Sequence, residues 1–137
     1  MRYVGKIDVA LYESFFGKLR GDDVVLTAER EAHIKARHPL DYTYFIQHIT
    51  AVVETPDIIM ADGKHPATAL LVKKLSDTQL YAVLRLAVDG DKPGLSHSIM
   101  TFYRVRDSNL AKLMRKIKYF SIPRKTGILC IDYTLVL

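Results

Sequence analysis

Hydrophobic positions recur at helical spacing through part of the first half of the chain and at extended spacing through most of the second half. Between residues 42 and 53 the apolar residues fall three or four positions apart, which predicts an amphipathic helix with Asp41 as its N-cap. The preceding stretch, AEREAHIKARH, is also helical in period; Thr27 is its expected N-cap, and Pro39 ends it. We therefore expect two consecutive helices before the pattern changes.

After Pro56 the apolar residues form short runs separated by polar turns, which is typical of strands. The predicted strands cover residues 57–61, 67–75, 80–88 and 96–106. Their connections are short, so neighbouring strands are expected to pair in antiparallel fashion.

Further elements are predicted towards both ends of the chain. Residues 3–9, 23–26 and 127–137 have strand-like composition. A basic helix follows Arg106, with Asp107 or Ser108 as the expected N-cap and with separate apolar and basic faces. These elements predict an α+β fold in one domain, residues 1–137, with an antiparallel sheet of about four to five strands and the helices packed on one face.

Charge is unevenly distributed along the sequence. The formal net charge is +5, but the segment from Arg104 to Lys125 alone holds eight basic residues against one acidic residue, so the remainder is slightly acidic. A basic segment of this kind is typical of a surface that binds a polyanion. A solvated helix followed by a basic loop would give the same pattern.

The remaining composition limits the class of protein. Cys130 is the single cysteine, which excludes an internal disulfide and a cysteine-based metal cluster within one chain. No apolar run is long enough to span a bilayer, and the first residues lack the apolar core of a signal peptide. We therefore expect a cytoplasmic protein, or one delivered into the cytoplasm of a target cell, that does not contact membranes.

Several segments occur together in a characteristic order: VVLTAEREAHIKARHP, PDIIMAD, TALLVKKL, LRL and HSIMTF. In this order they resemble the phage-associated barnase–EndoU–colicin–RelE-like nuclease domains of prophages and conjugative elements, over residues 6–119. The most specific parts are the helix end HIKARHP and the strand SIMTF. Residues 123–137 depart from the family pattern and are expected to add a strand, and His97 stands where the family commonly has asparagine.

The resemblance implies a sheet with helices on one face and RNA on the other, and it implies endoribonuclease activity. Metal-independent RNA cleavage uses the ribose 2′-hydroxyl as nucleophile, with a general base, a general acid and cations that stabilise the phosphorane. Histidine suits the proton transfers because its pKa lies near neutral pH. The expected catalytic residues are His38, His33, Lys73, Arg85, Arg37, Ser98 and Thr101. The expected RNA-binding residues are Tyr103, Arg104, Lys112, Arg115, Lys116 and Lys118.

These residues also have structural interpretations. The two helical histidines would serve equally as polar helix residues, and the strand hydroxyls as ordinary strand residues. Lys73 and Arg85 lie among apolar neighbours, so each needs water, a ligand or an acid across the sheet such as Asp57 or Asp132.

Strand alternation assigns faces to the residues of the strand at 96–106. It is expected to place His97, Thr101 and Tyr103 on one face, opposite Ser98 and its alternating neighbours. His33 and the histidine that precedes Pro39 are spaced i, i+5, which does not match a helical zinc motif, so no metal or other cofactor is expected.

The sequence thus predicts a metal-independent endoribonuclease that leaves a 2′,3′-cyclic phosphate. The enzyme is expected to be associated with a phage or mobile element and to act as a toxin. The expected partners are RNA, an immunity protein and a second copy paired through the C-terminal strand. The alternatives are a non-catalytic nucleic-acid-binding module with the same fold and a protein-interaction domain.

Overall fold

The computed structural model describes residues 1–62, 64–88, 90–91 and 94–115, together with the backbone of two short strands nearer the C-terminus. The elements are β1 (Arg2–Lys6), α1 (Val9–Phe16), β2 (Asp23–Leu26), α2 (Ala28–Arg37), α3 (Tyr42–Glu54), β3 (Ile58–Ala61), β4 (Thr68–Lys74), β5 (Gln79–Arg85), β6 (His97–Val105), α4 (Asp107–Met114), β7 (Tyr119–Ser121) and β8 (Asp132–Thr134). The predicted α+β class is confirmed.

The strands form one mixed sheet in the order β1-β2-β6-β5-β4-β3, which β7 and β8 extend beyond β3. Neighbouring strands are antiparallel except β2 and β6, which run parallel through the pairs Val24–His97 and Val25–Ser98. The predicted all-antiparallel sheet of about four to five strands is therefore wrong. The N-terminal strands join the sheet because β6, which follows α2, α3 and the strands β3 to β5, returns beside β2 and runs in the same direction.

Helices α1, α2 and α3 cover one face of the sheet. Their buried side chains, such as Tyr12, Ile34 and Phe45, pack with Phe102 and other strand residues in the larger core. The predicted packing of all helices on this face is wrong for α4, because Leu110 is buried against the opposite face. The physical reason is that β3, β4 and β5 carry apolar side chains on both faces, so the second face also needs cover.

Helix α1 is not predicted by the sequence pattern. Asp8 begins it by accepting the backbone N–H of Leu11 at 3.3 Å, and Gly17 ends it with a φ of +86°. Its sequence, VALYESFF, is apolar around most of the helix, so neither a helical nor a strand period stands out. None of the described helices has the length and apolar character needed to cross a bilayer.

Candidate functional site

A β-bulge in β6 decides which side chains share a face of the sheet. Thr101 lies opposite Val83 and Ile99 lies opposite Leu84, which leaves Met100 without a partner in β5. An extra residue of this kind interrupts the simple alternation of side chains along a strand. Ser98 and Thr101, which lie on the two sides of the bulge, therefore share a face although they are three residues apart in sequence.

The bulge gathers four of the predicted site residues on the face that α4 partly covers. Ser98 pairs with Arg85, and Thr101 and Tyr103 pair with residues of β5 that point the same way as Arg85. His97 points to the other face, so the predicted grouping of His97 with Thr101 is wrong. Arg85 is exposed and the two hydroxyl residues are half-buried.

His97 has a structural role instead. Its side chain is fully buried, and Nδ1 accepts the backbone N–H of Ala87 at 2.8 Å. Because Nδ1 accepts, the ring proton lies on Nε2, which donates to the carbonyl oxygen of Gly21 at 2.8 Å. The imidazole thus joins the start of β6 to the segments that follow β5 and α1.

His38 and Tyr103 meet at the edge of β6. His38 follows α2 directly, and its backbone N–H donates to the carbonyl oxygen of Ile34 at 2.8 Å. The centroid of its ring lies 5.2 Å from that of Tyr103, whose ring lies 4.9 Å from Tyr81. Burial raises the pKa of both tyrosines.

Asp41 and Arg104 hold the loop after α2 against β6. Nε of Arg104 donates to Oδ1 of Asp41 at 2.6 Å, and the Arg104 backbone N–H donates to Oδ2 at 3.2 Å. The Asp41 backbone N–H donates to the carbonyl oxygen of His38 at 3.0 Å. The pKa of Arg104 is raised by its hydrogen bond to Asp41, and its guanidinium lies 4.8 Å from the centre of the Tyr44 ring.

These contacts bear on two predictions, the capping of α3 by Asp41 and the binding of RNA by Arg104. The Asp41 side chain makes no capping hydrogen bond to α3 and accepts from Arg104 of β6 instead. The backbone N–H of Arg104 is available for this bond because β2 pairs with β6 only at His97 and Ser98. Arg104, predicted to bind RNA, already has a carboxylate partner. Its arrangement favours a role in positioning the loop that carries His38.

A groove of about 490 Å³ runs between β6 and α4. Its walls combine cations, an amide, a phenol and aliphatic side chains: Tyr103, Arg104, Val105, Arg106, Asn109, Lys112 and Leu113. Arg106 and Asn109 were not among the predicted site residues; the signal for Arg106 was its place in the basic segment, whereas Asn109 is recognisable only once α4 is packed.

A second cavity, of about 540 Å³, adjoins this groove and has a different character. The two share Arg104, Val105 and Arg106, but the second also has the carboxylates of Asp41, Asp77 and Asp107 on its walls. The boundary between a basic and an acidic region therefore lies along the end of β6.

Lys73 lies away from this site. It pairs with Leu80 of β5, which belongs to the core on the opposite face. Its ammonium group donates to the carbonyl oxygen and to the hydroxyl of Thr55, both at 2.9 Å, at the end of α3. The positive charge there suits the carbonyl end of a helix. The structure thus gives Lys73 a structural environment, not a place beside His38.

The other predicted residues are dispersed. His33 is half-buried and Arg37 exposed on α2, and no hydrogen bond, ion pair or ring contact joins either to His38 within the described ranges. Arg115 is exposed and its Nε donates to the Ala111 carbonyl oxygen at 3.3 Å. Lys116, Lys118 and most of the predicted strand at 127–137 lie outside the described residues.

Among the residues that the structure describes, no three His, Cys, Asp or Glu side chains come together as a metal site. Comparison of the chain with protein-family models, with curated proteins and with solved structures finds no match. The resemblance to the nuclease family therefore stays a prediction.

Proposed function

We propose that this chain is a metal-independent endoribonuclease whose reaction site lies around His38 and Tyr103. The supporting observation is the packing of the His38 ring on Tyr103, which itself lines the basic groove. An imidazole transfers protons near neutral pH, and the cations of the groove suit a phosphate. Arg106 and Lys112 are both exposed and accessible to a polyanion.

The proposed reaction is an intramolecular transesterification. The ribose 2′-oxygen attacks the adjacent phosphorus, its proton passes to His38, and the bond from phosphorus to the 5′-oxygen breaks. The Tyr103 hydroxyl, which is protonated at neutral pH as any phenol is, donates a proton to the departing oxygen. The imidazolium then returns a proton to the phenolate, which restores both groups. The products carry a 2′,3′-cyclic phosphate and a 5′-hydroxyl.

A non-catalytic RNA-binding module is the second candidate. The position of Lys73 favours it, because a predicted phosphate-stabilising cation is committed to the end of α3. The basic groove remains complete without that cation. This candidate therefore shares the binding site of the first and differs only in turnover.

Incubation of the chain with total RNA in EDTA separates the two candidates. The nuclease proposal expects cleavage with cyclic phosphate ends, and His38→Ala is expected to reduce the rate by roughly a hundredfold or more, the usual size of a general acid–base contribution. His48→Ala is the matched control, because His48 is also half-buried beside a tyrosine ring, but that ring belongs to Tyr44, which does not line the groove. RNA binding without any cleavage would favour the non-catalytic module.

A further inference from the structure

The walls of the groove fit the parts of one nucleotide. Tyr103 of β6 and Leu113 of α4 provide an aromatic and an aliphatic surface, and Asn109 lies one helical turn before Leu113 on the same side of α4. Arg106 and Lys112 are exposed cations of the same groove. A base needs an apolar surface and hydrogen-bonding groups, whereas a phosphate needs cations. Both requirements are met within one groove.

The adjoining acidic cavity restricts where a phosphate can lie. Asp77 and Asp107 are exposed, and no ion pair or side-chain hydrogen bond engages either carboxylate in the described part of the chain. Their negative charge opposes a phosphate on that side of Arg106. The backbone of a bound nucleic acid is therefore confined to the side where Lys112 lies.

The position of α4 decides which form of RNA can enter. Leu110 is buried in one cluster with Tyr81 and Val105, so α4 covers this part of the sheet face. The groove lies between α4 and the end of β6. Its volume of about 490 Å³ is that of a pocket for a small ligand. In duplex RNA the bases are stacked inside, and proteins contact the duplex mainly by its shape and backbone across several base pairs. Only a base that has left the stack can reach the walls of this groove.

We infer that the groove holds one unpaired nucleotide of single-stranded RNA, with its base against Tyr103 and Leu113 and its phosphate beside Arg106 and Lys112. This inference rests on the proposed function and names the class of RNA that the same site takes. It assigns Asn109 to the base and the two cations to the backbone.

Binding measured without cleavage tests the inference. The His38→Ala chain, in EDTA, is titrated against a labelled oligoribonucleotide of mixed sequence, either alone or annealed to its complement, and fluorescence anisotropy gives both affinities. We expect the single strand to bind about tenfold more tightly than the duplex, because contact of a base with an aromatic side chain contributes an effect of that order. In the same background Asn109→Ala should weaken binding of the single strand and leave duplex binding unchanged.

Ser108→Ala is the matched control, since Ser108 is the exposed neighbour of Asn109 on α4 but does not line the groove. Thermal unfolding checks that each variant is folded. Equal affinity for single strand and duplex, with RNA cleavage by the unaltered chain, would overturn the groove inference alone. The absence of both binding and cleavage would overturn the proposed function as well.

Discussion

At the scale of single residues, the proposed site depends on Asp41 as well as on His38. The Asp41 carboxylate accepts two bonds from Arg104, and its backbone N–H donates to the carbonyl oxygen of His38. Tyr103 precedes Arg104 in β6, so the same contacts that hold the loop also place the imidazole on the phenol ring. In the proposed reaction Asp41 would act through His38, as a positioning residue.

We therefore expect Asp41→Ala to lower kcat for RNA cleavage by roughly tenfold to a hundredfold, because small displacements of a catalytic group have effects of that size. KM and the salt dependence should change little, since Arg106 and Lys112 remain in place. The NMR signals of the His38 ring should lose the shift caused by the Tyr103 ring. Asp23→Ala, which removes a surface carboxylate that accepts from the Lys6 ammonium group at 2.9 Å, should leave all three unchanged. An unaltered His38 spectrum in Asp41→Ala would contradict the positioning role.

A second residue-scale prediction concerns a buried hydroxyl. Tyr12 is 1% exposed, burial raises its pKa, and its hydroxyl has no hydrogen-bond partner in the described structure. An unpaired buried polar group opposes folding, so Tyr12→Phe should raise the free energy of unfolding by about 1 kcal/mol. Tyr42→Phe is the contrasting variant, since the Tyr42 hydroxyl donates to Glu31 at 2.6 Å and its loss should slightly destabilise the fold. Urea denaturation measures both; destabilisation by Tyr12→Phe would show that the hydroxyl has a partner.

At the scale of elements, the parts of the fold that the sequence predicts are those with a strong period. Helix α3 begins and ends close to the predicted residues because its apolar face repeats every three to four positions, and Thr27 caps α2 as expected by accepting the N–H of Arg30 at 3.2 Å. Helix α1 lacks such a period. The parallel pairing of β2 with β6 arises from the path of the chain through space, which local patterns do not encode.

The residues of the proposed site were predictable to the extent that they carry unusual chemistry. His38, Tyr103 and Lys112 could be predicted because imidazole, phenol and ammonium groups stand out in their segments; the structure packs His38 on Tyr103 and places Tyr103 and Lys112 on one groove. The bulge at Met100 was not predictable, because nothing in SIMTF departs from ordinary alternation. The pairing of Asp41 was not predictable either, since an aspartate before a helix normally caps it.

Lys73 provides a prediction at this scale, because it joins β4 to the end of α3. Replacing it removes two hydrogen bonds to Thr55 and the positive charge beside the helix carbonyl end. Lys73→Met should lower the free energy of unfolding by about 1–3 kcal/mol. Lys74→Met should have an effect within about 0.5 kcal/mol, because Lys74 is the exposed neighbour in the same strand. Cleavage by folded Lys73→Met should equal that of the unaltered chain; a loss of kcat without a loss of stability would return Lys73 to the catalytic site.

At the scale of the whole molecule, the distribution of charge is more informative than its total. The chain has a formal net charge of +5, and residues 104–115, in which most of the groove residues lie, hold Arg104, Arg106, Lys112 and Arg115 against Asp107 alone. Overall positive charge alone would attract RNA to any part of the surface. If RNA binds at a local site, its affinity should depend on where the basic residues lie as well as on their number.

Two double variants with the same net charge test this dependence. Lys112→Glu with Arg115→Glu reverses two exposed charges, one on α4 and one directly after it, whereas Lys18→Glu with Lys64→Glu reverses exposed charges elsewhere. We expect the α4 pair to weaken RNA binding strongly and to flatten the slope of log affinity against log salt by about 0.7 for each phosphate of a single strand that the variant no longer neutralises. The control pair should change the affinity much less and leave the slope near that of the unaltered chain. If both pairs weakened binding equally, attraction by the total charge would explain the binding, and the groove would have no special part in it.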